Sequence, residues 1–458
     1  MGQFEAAREA ADFELCRSLL ALVRREALGP SQVGMVRQCD GLLLADLGQA
    51  TDAEAAYASA LRLAEGAGDQ ALATRILNNL GLLLKQQGRW EEAIHCYQRR
   101  LAALESLGNG YLRPRAETLV NLGAAHEKKW ALEEAERCYQ QALEIFQAHH
   151  ADHDVAIVLS SLGIVALNRE QNDEAQRRLE ASRDIFQRVG DRVRESEALT
   201  NLAIVHREKG QYAEAIRCLE ASLAIKQEYR AVRGVATVLN NLGMVHRAAG
   251  SVEKAREAYT QAHLTFQEIG DNFDAATALF NLVRLELEAG NQAEFHARIA
   301  QLAPVLAIFD FVEITAEAGH LEAHAALVES RYADVFRHVA QSLEHAGRAG
   351  PTVTGQVSRR LQRFLADAYN AGEHFCLEFV QPLAELWKGK AGTMRSWPTS
   401  TPVCAPCARG DIMTSRGAAA SDDRQYCPNI CTSSSLPTRR TAWLSGKRPS
   451  THTVRAGS

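Results

Sequence analysis

The chain has 458 residues, 46% apolar and 23% charged, with a formal net charge of −5. That length exceeds what one small core needs and points to several units; the charge excludes the strongly basic surface of a direct nucleic-acid binder. No run of about 18 apolar residues occurs, so no span of a membrane is predicted, and the charged, amphipathic start MGQFEAAREAADFELC lacks the apolar stretch of a signal peptide.

Aromatic residues are few, at 6%, and Ala and Leu are plentiful, a mixture that favours helix over sheet. Ten cysteines are present. Those in the first 380 residues are scattered singly, and Cys96, Cys138 and Cys218 fall at apolar helix positions. Lone buried thiols suit a reducing compartment, so the sequence reads as cytoplasmic.

From residue 35 to 303 the chain repeats itself. Gly81, Gly123, Gly163, Ala203, Gly243 and Val283 form one column, 40 residues apart with one two-residue insertion. Seven residues on stand Gly88, Trp130, Glu170, Gly210, Gly250 and Gly290. Five further come Ala93, Ala135, Ala175, Ala215 and Ala255, and four beyond those Tyr97, Tyr139, Leu179, Leu219 and Tyr259. A degenerate earlier copy carries Gly41, Gly48, Ala53 and Tyr57.

The spacings predict pairs of antiparallel helices. TRILNNLGLLLKQQG has apolar residues at helical spacing and stops at Gly88, a C-cap residue; EEAIHCYQRRLAALESLG forms a second amphipathic helix ended by Gly108. Small residues in the Gly81 and Ala93 columns let the two helices approach, and the Tyr97 column fills the space above them. One such pair cannot bury its apolar face alone, so neighbours must stack.

These columns resemble the tetratricopeptide repeat family, over seven copies with the first and last degenerate. The 40-residue period is similar to that of kinesin light chains, of Pins-type spindle-orientation adaptors and of bacterial signalling arrays. The resemblance implies an all-α, right-handed superhelical solenoid of antiparallel helix pairs, with the first helix of each repeat lining a concave face.

The flanks read differently. In residues 1–34, Gly2, Ala7 and Ala11 match the turn-glycine, alanine and aromatic columns, so the chain is predicted to open on the second helix of a repeat whose first helix is missing. From 304 to 390 the register is lost but helical patterns persist, as in ADVFRHVAQSLEHAG and VSRRLQRFLADAYNAG, which are expected to be further helix pairs that cap the array. Residues 391–458 hold 19 Ser/Thr, six prolines, no Glu and nine Lys/Arg against three Asp, so disorder is expected there. The abrupt change of composition also fits a change of reading frame.

No motif for chemistry stands out. There is no P-loop, no G-x-S-x-G elbow, and His126-Glu127 is followed by Trp130 where a zincin needs His. No cofactor and no enzymatic activity are expected. Cys404, Cys407, Cys427 and Cys431 stand loosely as in a zinc ribbon, but the second pair is a residue too long and no His assists. His126, His206 and His246 share a column and read as core or boundary residues, because equivalent atoms about 10 Å apart cannot share an ion. His149, His150, Asp152 and His153 form a polar turn with metal-ligand chemistry, for which an ordinary solvated turn is the simpler reading.

The residue before each Leu-Gly or Leu-Ala pair is Asn79, Asn121, Ser161, Asn201, Asn241 or Asn281. Mid-helix Asn is mildly unfavourable, so five in six copies call for a reason. The resemblance to kinesin light chain and Pins-type grooves implies one: an amide with two donors and an acceptor bonds the backbone of an extended peptide. Asn78 and Asn240 stand beside that column. Lys85, Arg207 and Arg247, one turn on, are expected to add positive spots. The function predicted is a protein–protein interaction scaffold that captures a peptide segment of a partner, with self-association through the array ends also open. The alternatives are a sensor or regulatory part of a larger bacterial signalling ATPase or transcription regulator, and a zinc protein built on the tail cysteines.

Overall fold

The computed structural model describes residues 2–23, 28–309, 311–328 and 332–349, all of them helix, turn or irregular, with no strand among them. Two compact units emerge, Met1–Ala231 and Val232–Ser458, the second described as far as Ala349. The predicted tail at 391–458, its four cysteines and the expected helices beyond 349 lie outside the described residues.

In the first unit α1 (Gly2–Glu9) and α2 (Phe13–Val23) precede five pairs. These are α3 (Pro30–Asp46) with α4 (Ala50–Gly66), α5 (Gln70–Gln86) with α6 (Trp90–Leu107), α7 (Leu112–Lys128) with α8 (Leu132–Ala148), α9 (Asp152–Asn168) with α10 (Asn172–Val189), and α11 (Arg192–Glu208) with α12 (Tyr212–Glu228). The second unit holds α13 (Val232–Ala248) with α14 (Val252–Glu268), α15 (Asn272–Glu288) with α16 (Gln292–Phe309), and α17 (Val312–Val328) with α18 (Tyr332–Ala349). In each pair the first helix is called A and the second B.

The repeat columns are the seams of these pairs. Ala53, Ala93, Ala135, Ala175, Ala215 and Ala255 are fully buried, as are Tyr97 and Tyr259. Each tyrosine ring lies flat over the glycine of helix A. A β-carbon placed on Gly81 would meet Tyr97 Cε1 at 2.6 Å, and one on Gly243 would meet Tyr259 Cδ1 at 2.5 Å. So the ring requires a glycine; of the two copies with leucine, one keeps Gly163 against Leu179 and the other admits Ala203 against Leu219.

Turns between A and B helices use a left-handed residue, at φ +73° in Gly88 and +75° in Gly250. Trp130 and Glu170 occupy the same conformation at φ +58° and +61°, although side chains disfavour it. Successive repeats of the first unit are also tied by ion pairs from each turn to the preceding B helix. Arg89 bonds Glu54, Lys129 reaches Glu91 at 2.6 Å, Arg169 bonds Glu136, and Lys209 reaches Asp173 at 2.7 Å. Each such exposed pair contributes little energy, but their regular order favours one stacking register.

Two expectations need correction. The first residues form two helices, α1 and α2, rather than one B helix. The turn between them is a left-handed Ala11 at φ +54°, so a search for glycine passes over it. Buried Phe4, Cys16 and Leu20 then take the small, small and aromatic columns, and the Cys16 thiol donates to the Phe4 carbonyl at 3.8 Å. The 40-residue register also does not end at 304. Helices α17 and α18 begin 40 residues after α15 and α16. Buried Ala323 stands in the glycine column and buried Val339 in the tyrosine column. The Ser342 hydroxyl donates to the Ala316 carbonyl at 2.6 Å, as Ser222 does to Ser196 and Ser182 to Ala156, each at 2.8 Å. Packing kept the register after the signature residues had changed.

Candidate functional site

Helices α5, α7, α9 and α11 are the A helices of successive repeats in the first unit, and α9 touches α7 on one side and α11 on the other. On them Asn79, Asn121, Ser161 and Asn201 occupy one register position, each half-buried. The Ser161 hydroxyl donates to its own helix, to the Ile157 carbonyl at 3.2 Å. Asn79, Asn121 and Asn201 make no side-chain hydrogen bond to any described residue. Their donors and acceptors are left to solvent or to a ligand.

The flanking expected residues are partly occupied. Asn78 accepts a bond from buried Arg100 at 2.5 Å. Burial pushes the Arg100 guanidinium down from its ordinary range, so the bond to Asn78 compensates a charge taken out of water. Lys85 is half-buried, and burial pushes its ammonium down as well, yet among the described residues it has no hydrogen bond or ion pair. Arg207 donates to Glu208 at 2.6 Å, so it is not a bare positive spot.

Glu127 is not among the residues expected at the site, because its charge is opposite to that of Lys85, Arg207 and Arg247. It stands on α7 at the register position of Lys85 and is half-buried. Its Oε2 accepts from the Tyr139 hydroxyl at 3.2 Å. Burial pushes its carboxyl above the usual carboxylate range, against the lowering effect of Tyr139 and the more distant Lys128. The signal that could have found it is the same spacing that picked out Lys85.

In the second unit the same columns are used differently. Asn241 on α13 is half-buried with no side-chain partner among the described residues. Asn281 on α15 is only 8% exposed, and its amide donates to Asn240 Oδ1 at 3.0 Å, linking the two A helices. Arg247 donates to both oxygens of Glu288, at 2.7 and 2.9 Å, and that pairing outweighs the effect of burial and keeps its charge. Below it, fully buried Glu286 accepts from Arg256 at 2.6 and 2.9 Å and from Asn291 at 2.8 Å. These interactions hold its carboxyl low despite burial.

Histidines show no shared ligand geometry. His206 is buried and its Nδ1 lies 2.7 Å from Gln211 Oε1; burial pushes the His126 ring below its ordinary range. In the polar turn, His153 Nε2 lies 2.9 Å from Asp191 Oδ2, the N-cap carboxylate of α11. His149, His150 and Asp152 are exposed. Among the described residues no group of three or more His, Cys, Asp or Glu is placed to hold a metal ion, and none of the helices is long and apolar enough to cross a membrane.

Known proteins agree with the repeat fold. Tetratricopeptide repeat models match residues 41–106, 154–228 and 234–294, and a second form of the repeat matches 115–154, together more than half of the chain. No curated protein sequence matches. Among solved structures, a signal transduction ATPase with numerous domains from Pyrococcus horikoshii, which has a tetratricopeptide repeat sensor, shares 15% identity over 79% of this chain and 53% of its own, with a TM-score of 0.51. A Rap protein complexed with competence and sporulation factor shares 15% over 79% of this chain and 99% of its own, at 0.50. Aspartyl phosphate phosphatase F of Bacillus subtilis shares 12% over 75% and 92%, also at 0.50. At such identities the likeness is one of fold. The chain belongs to the tetratricopeptide repeat family.

Proposed function

We propose that this protein is a non-enzymatic interaction scaffold that captures an extended peptide segment of a partner on the A helices of its repeats. In the first unit Asn79, Asn121 and Asn201 bond the peptide backbone; neighbouring side chains select its sequence. Membership of the tetratricopeptide repeat family supports the general role of a protein-interaction scaffold. The observation that carries the finer reading is the set of half-buried amides at one register position, none with a side-chain partner among the described residues. A buried amide without a partner costs free energy, and a column of them is retained at a cost unless something bonds there. An extended segment presents alternating N–H and C=O groups, which suit an amide's donors and acceptor.

The test is a phage-displayed random peptide library selected on the full chain. The tightest peptide is then measured by fluorescence anisotropy against the parent and the Asn121→Ala/Asn201→Ala variant. Two lost hydrogen bonds, each contributing about 1 kcal/mol, weaken binding about tenfold to a hundredfold while the helical circular dichroism stays unchanged. Equal affinity in that variant would sink the reading.

A further inference from the structure

Position by position, one pair of charges on the A helices stands out. Lys85 on α5 and Glu127 on α7 each lie four residues after the seam glycine, Gly81 and Gly123. Seven residues make about two helical turns, so Lys85 shares a face with Asn78, two turns back along α5. Both charged groups are half-buried. No ion pair joins them, and no described residue supplies either with an opposite charge within ion-pair distance. At the same register position Arg207 has Glu208 and Arg247 has Glu288, whereas the position is apolar at Ala45, Leu167 and Leu287.

Leaving a half-buried charge uncompensated is unfavourable, because part of its hydration is gone and nothing replaces it. The Tyr139 hydroxyl gives Glu127 a single neutral donor on one oxygen; Lys85 has none. A desolvated, unpaired charge also attracts an incoming opposite charge more strongly than an exposed one does. On each helix an unbonded asparagine amide, Asn79 or Asn121, stands six residues earlier, about a third of a turn round the helix.

We propose that α5 and α7 form a charge-selective pair of subsites that takes an extended peptide carrying one acidic and one basic side chain. The acidic side chain pairs with Lys85 and the basic one with Glu127. This rests on the peptide-capture reading above and deepens it. Both helices pack against α6, so one ligand segment that crosses from α5 to α7 carries both charges. Arginine suits the Glu127 subsite best, since its planar fork can bond both carboxylate oxygens.

The experiment repeats the library selection on three full-length forms: the parent, Glu127→Gln and Lys85→Met. Glutamine keeps an acceptor for Tyr139, and methionine keeps most of the lysine stem, so both variants hold the local packing; circular dichroism verifies this. The parent is expected to enrich peptides that carry both an acidic and a basic residue. The Gln variant loses the basic preference and keeps the acidic one, and the Met variant does the reverse. A peptide selected on the parent binds each variant about tenfold more weakly. Peptides without charge preference, or a preference unchanged by both variants, overturn the charge pairing while peptide capture stands. If the parent selects no peptide at all, both fail together.

Discussion

The A helices of the two units carry the same columns but use some positions differently, although Asn241 of the second unit stays as open as the asparagines of the first. In the first unit Asn79, Asn121 and Asn201 have no side-chain partner among the described residues, and Lys85 and Glu127 lack an opposite charge. In the second, Asn281 bonds Asn240, Arg247 bonds Glu288, and Glu286 is enclosed by Arg256 and Asn291. The difference teaches that a repeated residue is not a repeated role. One side chain can tie neighbouring repeats together in one copy and stay open in another.

The strongest way to test the closed face is to open it. Arg256→Met leaves the buried Glu286 carboxylate with Asn291 alone, an expected loss of about 3 kcal/mol in chemical denaturation at neutral pH. The sign with pH follows from the lowered carboxyl of Glu286. Its stabilising effect is present above the unfolded value and vanishes as pH falls through the folded one, so the gap between parent and variant narrows in acid.

The seams should not distinguish the units. Gly123→Ala and Gly243→Ala each drive a β-carbon into a tyrosine ring, at 2.8 Å from Tyr139 and 2.5 Å from Tyr259. Each should cost about 1–3 kcal/mol, seen as a lower Tm. A marked inequality would mean that one seam relaxes far more easily than the other.

The sharpest contrast is within the asparagine column. Asn281→Ala removes a donor and leaves Asn240 with an unbonded oxygen, a loss of about 1 kcal/mol in stability. Asn121→Ala and Asn201→Ala remove no internal bond and improve helix propensity, so stability should change by less than about 0.5 kcal/mol. Equal losses at all three would break the comparison.

Glu127 gives the smallest effect, with the sign reversed. Its carboxyl is raised by burial, so the folded state holds the proton more tightly than the unfolded one. The ionised group therefore destabilises at neutral pH, and that penalty is relieved as pH falls through the folded value. Glu127→Gln should raise Tm slightly at about pH 7 and lose the advantage by about pH 4, close to the unfolded value for Glu. Higher stability with altered peptide preference is the signature of a residue kept for binding.

Much of this architecture was legible in the residues. Gly81, Ala93 and Tyr97 recur because a tyrosine ring packed between two close helices leaves no room for a side chain on the helix it covers. That steric requirement repeats with the sequence, and it named the pairs, the turns and the seams. It failed where packing found another solution: Ala11 in a left-handed turn, and Ala323 with Val339 in a register that continues beyond 304. The asparagine column was legible too, but not which members stay open. Whether an amide is spent on a neighbour depends on residues about 40 positions away, as Asn281 and Asn240 show, or on a B helix, as Arg100 and Asn78 show. Local spacing determines where a side chain stands on its helix; only the stacking of one repeat on the next decides what it meets there.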